Sequence, residues 1–144
     1  MIADKRWLDL FAGSGSVGIE ALSQGAAHCV FVDMSKAAID TINDNLDGTR
    51  LAGLAEVRNQ DAFTYIKNSR KVFDMIYVAP PQYKGMWVEV LHALAERPDL
   101  VSADGLVIAQ IDPKEYENLL LSNFLEIEQR KYGNSVLVFF QKVS

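Results

Sequence analysis

The sequence predicts an α/β fold, a doubly wound and mostly parallel sheet with helices on both faces and a C-terminal antiparallel hairpin. Three observations predict it. Short apolar runs alternate five times with stretches whose apolar residues recur at helical spacing, the order expected of parallel strands joined by helical crossovers. The first run, Trp7 to Phe11, leads at once into Gly13, Gly15 and Gly18 and then a helical pattern, which reads as strand, tight loop and helix. The last two runs, Phe124 to Lys131 and Ser135 to Val143, are joined only by Tyr132, Gly133 and Asn134, a link that suits a hairpin.

Taken in order, Met1 to Arg6 is a polar lead, and strand one is Trp7 to Phe11. Helix A spans Ser16 to Gln24, with Gly25 as its C-cap. Cys29 to Asp33 is a buried second strand with an acid at its carboxyl end. Ser35 caps helix B, which carries Ala38, Ile39, Ile42 and Leu46 on one face and stops before Gly48. Ala55 to Asn59 is a weaker third strand, and Asp61 opens helix C with Phe63 and Ile66 inward. Val72 to Val78 is the fourth strand. It closes at Ala79-Pro80-Pro81, because proline lacks the ladder donor and fixes φ. Helix D covers Met86 to Ala95, Gly105 to Ile111 is the fifth strand, and Asp112-Pro113 starts a short helix E over Lys114 to Leu121.

At 144 residues the chain suits one domain, 1–144, with one real core. Its hydrophobic content of 49% and charged content of 23% exclude the disordered and fibrous classes. A net charge of −5 gives no general basic footprint for nucleic acid, though a local patch remains compatible with it. Cys29 is the single cysteine, so no internal disulfide forms, and its apolar setting reads as a buried thiol in a reducing cytoplasm. No apolar run approaches the ~18 residues of a membrane span, and the N-terminus carries no signal-peptide pattern. His28 and His92 stand alone, without a carboxylate or cysteine at ligand spacing, so no metal site is expected.

The glycine spacing alone is shared by dinucleotide and S-adenosylmethionine sites. Gly13 and Gly15 let the backbone approach a ligand, and Gly18 lets the helix lie close on its strand. Two acids sharpen the pattern. Asp9 sits inside the first strand, where a carboxylate is costly to bury unless hydrogen-bonded. It is placed to organise the glycine loop and to attract a cationic amino acid moiety. Glu20 lies in the first turns of the helix.

Read together, these residues resemble a class I S-adenosylmethionine-dependent methyltransferase with a Rossmann-like sheet. Asp9-Leu-Phe-Ala-Gly-Ser-Gly-Ser-Val-Gly-Ile-Glu-Ala-Leu22 is similar to the first motif of one family in particular. That family methylates the exocyclic N2 of a guanine in bacterial small-subunit (16S) ribosomal RNA. Gln24-Gly25-Ala26 and a strand ending in Asp33 continue the likeness. The resemblance implies S-adenosyl-L-methionine as cofactor and 16S ribosomal RNA or the assembled small subunit as partner, with a monomer favoured. It implies that the loop after Phe11, with Gly13, Ser14 and Gly15, passes under the methionine and ribose. Asp33 would accept from both ribose hydroxyls, and Met34 would pack on the adenine. Asp61 would accept from the adenine amino group, with the backbone N–H of Ala62 reaching a ring nitrogen.

The sequence departs from the family at the catalytic motif. The family carries Asp or Asn, then Pro-Pro, then Tyr or Phe, after strand four; here stand Ala79, Pro80, Pro81 and Gln82, with Tyr83 one place later. An acceptor at the first position localises the amine lone pair for attack on the methyl group, and an aromatic face holds the base. Ala79 supplies no such acceptor, leaving the Pro80 carbonyl or the Gln82 amide oxygen for that role and Tyr83 for stacking. The family also has a longer N-terminal extension that helps hold RNA, whereas six residues precede strand one here. Arg58, Lys67, Arg70 and Lys71 read as a dispersed, solvated set of charges. A non-catalytic cofactor-binding relative and a small-molecule methyltransferase therefore stay open beside the RNA enzyme. A nicotinamide-dependent oxidoreductase is disfavoured by Asp9, the Pro-Pro turn and the terminal hairpin.

Overall fold

The computed structural model describes residues 2–81 and 85–143. Seven strands form one sheet in the order β3-β2-β1-β4-β5-β7-β6. They are β1 (Arg6–Leu10), β2 (His28–Asp33), β3 (Ala55–Asn59), β4 (Phe73–Val78), β5 (Val101–Ile111), β6 (Phe124–Tyr132) and β7 (Ser135–Lys142). The first five are parallel, and β7 lies antiparallel between β5 and β6. This is a Rossmann-like sheet, with the strand order reversing between β1 and β4.

Helices α1 (Ser16–Ser23), α2 (Lys36–Thr49), α3 (Ala62–Asn68) and α4 (Met86–Ala95) cover the sheet in pairs. The two-residue side-chain period divides the strands between two cores. Leu8, Leu10, Val30, Ile76 and Val78 meet α3 and α4, where Trp87, Leu91 and Leu94 are fully buried. Trp7, Cys29, Phe31 and Tyr77 face the other way, towards Leu22 of α1 and Ile39 and Ile42 of α2. Asp9 alternates onto that second face and, among the described residues, is the one buried acid.

Three elements differ from the sequence expectation, each for a local reason. Helix E does not form. Asp112 accepts from Lys114 N at 2.8 Å and starts a single 3-10 turn, Pro113–Glu115, after which Tyr116 is extended. The Glu115 carbonyl accepts from Trp87 Nε1 at 3.2 Å, and Tyr116 stacks on Trp87 and donates to Glu126 at 2.7 Å. Tertiary contacts thus take the groups a helix would use. Helix α2 runs through Gly48 to Thr49, because the left-handed residue that ends it is Arg50 at φ 60. Leu51 N then reaches Leu46 O and Arg50 N reaches Asp47 O, so the last carbonyls stay satisfied. Strand β5 begins at Val101 rather than Gly105, with a register shift against β4 between Phe73 and Met75. Elsewhere the expected boundaries hold to within a residue or two, and Gly25 ends α1 at φ 101.

Arg97 settles the far end of α3. Its guanidinium donates to the carbonyls of Ile66, Lys67 and Ser69, each at 2.7 Å, and so neutralises the exposed negative end of that helix.

The seating of α1 on β2 rests on Gly18. A Cβ there would lie 2.4 Å from Phe31 Cε2 and 2.7 Å from Cys29 Sγ, both fully buried. Gly18→Ala should lower stability by ~1–3 kcal/mol through overpacking, read as a fall in the urea midpoint. An unchanged midpoint would mean that α1 can lift off β2 without cost.

Candidate functional site

The carboxyl ends of β2, β1 and β4 open onto a cavity of about 540 Å³. Across the sheet its lining runs from Gln60, Asp61, Ala62 and Phe63 beyond β3, to Val32, Asp33, Met34 and Ser35 after β2, to Phe11 after β1. Ala79, Pro80, Pro81 and Met86 complete the far wall. The volume suits a nucleoside-sized ligand, and the strand-order reversal is where open α/β sheets bind one.

Asp33 ties the wall together. One carboxylate oxygen accepts from Gly13 N and the other from Ser35 N, each at 2.9 Å. A carboxylate offers about four lone-pair directions, so two remain for a ligand. Met34, 70% exposed, is not core packing; it lines the cavity. Asn59 Nδ2 holds this turn by donating to the carbonyls of Asp33 (3.1 Å) and Met34 (3.0 Å). Asp61 caps α3, one oxygen accepting from Thr64 N at 3.1 Å and from Thr64 Oγ1 at 3.4 Å. Its other oxygen and the N–H of Ala62, in the first helical turn, have no helical partner. Gln60 Oε1 is buried without a partner.

Of the glycine loop, Phe11 lines the cavity and Gly13 adjoins it through Asp33, whereas Gly15 is buried against Ile42. Phe11 and Gly13 both lie at φ 60, a region costly for Phe11 and free for glycine, and the space above Gly13 is open out to 4 Å. Asn45 Nδ2 anchors the loop from α2 by donating to Ser14 O at 2.9 Å, while Gly15 N bonds Ala12 O at 2.8 Å. Asp9 and Gly18 stand behind this loop rather than in the cavity wall: Gly18 N donates to Asp9 at 3.3 Å. Glu20 points from α1 to solvent and accepts from Gln24 at 2.6 Å. Gln82 and Tyr83 lie outside the described residues.

Sequence reasoning missed Asn45, Asn59, Gln60, Phe63 and Met86. Asn59 and Gln60 had a signal, since polar residues ending a strand beside Asp61 sit at the ligand rim. Asn45 had none, because its role depends on where α2 packs. Among the described residues, no cluster of three or more His, Cys, Asp or Glu side chains offers a metal site.

A family profile described as "Conserved hypothetical protein 95" matches residues 1–141. The chain belongs to that family. Its members are S-adenosylmethionine-dependent methyltransferases. YlbH of Bacillus subtilis, a provisionally named rRNA methyltransferase, is 34% identical over 140 residues, which is 95% of this chain and 76% of YlbH. Ribosomal RNA small subunit methyltransferase D of Escherichia coli is 34% identical over 96 residues, 67% of this chain. That alignment spans about half of the E. coli enzyme's length, 48%. A solved E. coli structure, provisionally named methyltransferase YhhF, superposes with a TM-score of 0.86 at 26% identity, covering 99% of this chain and 77% of that one.

Burial raises the Asp9 carboxyl to about 7, the Gly18 N–H opposing this and the nearby Asp33 charge adding to it. Tyr77, its neighbour on β4, is pushed up to about 12, first by burial and then by Asp9. The folded chain therefore holds the Asp9 proton up to about pH 7, while an unfolded chain releases it near 3.9. Its contribution to stability is full below about pH 4 and is lost as pH rises through 7. Asp9→Asn should accordingly be more stable than the parent at pH 8, by on the order of a few kcal/mol, with the gap closing towards pH 4. Urea titrations at both pH values check this, and a gap of the same size at both would show Asp9 ionised throughout.

Proposed function

We propose that this chain binds S-adenosylmethionine in the cavity and transfers its methyl group to the exocyclic N2 amine of a guanine in 16S ribosomal RNA, free or in the assembled small subunit. The observation that carries the reading is the seating of Asp33, Met34 and Asp61 across one cavity from Ala79, Pro80 and Pro81. The residues fit the donor. The open lone pairs of Asp33 suit a vicinal diol, Met34 suits a flat base, and the second Asp61 oxygen with the Ala62 N–H suits an adenine edge. Gly13 leaves open space where a side chain would intrude.

When bound, the donor supplies an electrophilic methyl carbon on a positively charged sulfur. The chain's part is to orient. The guanine N2 lone pair forms the new N–C bond as the C–S bond breaks and its electrons return to sulfur, and the surplus amine proton leaves to water. Acceptors on the two amine protons keep that lone pair out of the purine ring. Ala79 supplies none from its side chain, so the Pro80 carbonyl and Gln82 carry this role, with Tyr83 as the stacking face. Ala79 also favours a second reading, a relative that binds the cofactor without methylating.

Two measurements test the reading. Asp33→Ala should weaken S-adenosylhomocysteine binding by calorimetry roughly 10- to 100-fold, since a charge-assisted acceptor is lost; unaltered affinity would place the cofactor elsewhere. In single-turnover assays with labelled S-adenosylmethionine and undermethylated 16S rRNA or small subunits, Ala79→Asp should raise the rate by about a hundredfold at little change in cofactor affinity. Gln82→Ala should slow it. A parent that is already fast, with Gln82→Ala harmless and Ala79→Asp no better, would defeat this account of the motif. A parent that binds S-adenosylhomocysteine and labels no RNA favours the second reading.

A further inference from the structure

Arg58, Lys67, Arg70 and Lys71, dispersed in sequence, are joined by Arg97 on one flank of the fold. Two grooves run between them. The first, about 280 Å³, is lined by Arg58, Arg70 and Lys71 with Tyr65, and meets the main cavity at their shared wall residue Gln60. The second, about 580 Å³, takes in Lys67 and Arg97 and shares Asn68, Ser69 and Arg70 with the first. The first groove thus adjoins the cavity at Gln60, and the second adjoins the first at the end of α3.

Three of the cations on it, Arg58, Lys71 and Arg97, are paired with carboxylates. Glu56 accepts from Arg58 Nη1 at 2.9 Å and from Lys71 Nζ at 2.7 Å, so one carboxylate fixes a cation on β3 and another ahead of β4. Arg97 covers the carbonyl end of α3, which would otherwise repel an anion there, and pairs with Asp99. Five cations against the two carboxylates, Glu56 and Asp99, leave a charge of +3, so the rest of the chain carries −8 within an overall −5. Charges on the edge strand β3 also discourage edge pairing, which accounts for Arg58. It does not account for Lys67, Arg70 or Arg97, which lie off that strand.

We propose that this flank is a track for the phosphodiester backbone of the RNA, guiding the strand beside the target guanosine into the cavity. The inference rests on the RNA reading above. Its occupant is an RNA strand because the track is elongated, cationic and adjacent to the cavity, and phosphate contacts of this kind position without reading sequence. In a chain of net −5 the binding is weak and strongly salt-dependent.

The experiment measures binding of transcribed 16S rRNA to the full chain by fluorescence anisotropy from ~50 to ~200 mM salt, the range over which phosphate contacts are lost. The double substitution Lys67→Glu with Arg70→Glu is compared with Lys114→Glu with Lys131→Glu, an equal change of charge on exposed residues off the track. The track pair should weaken binding ~10-fold or more at the lowest salt and lower the slope of log affinity against log salt by about 2. The control pair should change affinity less than ~3-fold and leave the slope alone, with S-adenosylhomocysteine affinity the same in both. Equal effects of the two pairs, or an unchanged slope, overturn the track. If the parent methylates rRNA while the track pair binds it as the parent does, the track falls and the function stands. A parent that binds S-adenosylhomocysteine but neither binds nor methylates rRNA removes both.

Discussion

The carboxylate of Asp33, spending one oxygen on Gly13 N and the other on Ser35 N, is the bond set on which the site depends. It ties the loop after β1 to the turn after β2, two segments that approach only because β1 and β2 are adjacent and parallel. The backbone of that turn is held in addition by Asn59 from the end of β3. Three parallel strand ends are thereby fixed relative to one another before any ligand arrives. Such pre-organisation lowers the cost of ordering a binding site.

Behind this clamp the chain manages its buried charge by geometry. Asp9 and Asp33 are both aspartates at the rim of neighbouring strands, yet burial keeps the first protonated up to about 7. Asp33 faces the cavity and two backbone donors. One acid holds the first turn of α1 from within the core, and the other lines the cavity. Gly18 sets how closely α1 lies on β2, because only a residue without a Cβ fits over Phe31 and Cys29. A second chain of contacts crosses the sheet on the same face. The Tyr77 hydroxyl is hydrogen-bonded to Gln110, whose Nε2 lies 3.4 Å from Ser135 Oγ. The turn end of the β6–β7 hairpin is thus linked to β4 two residues before Ala79. The antiparallel strand is more than a sheet extension, since it braces the strand that delivers the far wall of the cavity.

Local pattern alone determined most of this architecture. The alternation of apolar runs and helical spacings, the glycine loop, Ser35 and Asp61 as caps, the Pro80-Pro81 stop and the terminal hairpin are all short-range signals, and each is realised. The rim of the site was legible for the same reason, because ligands of such sheets gather where named strands end. The tertiary structure alone decided the rest. Helix E gave way to the stack of Tyr116 on Trp87 and to the Glu115 carbonyl's bond with the Trp87 indole, contacts made across some 30 residues. Gly48 was passed over because Arg50 could close α2 two residues later. The charge state of Asp9, the anchoring of the loop by Asn45 and the gathering of Arg97 with the α3 basic residues all depend on which elements become neighbours. Periodicity specifies how a segment turns its faces; burial and distance between segments exist only once the sheet has been ordered.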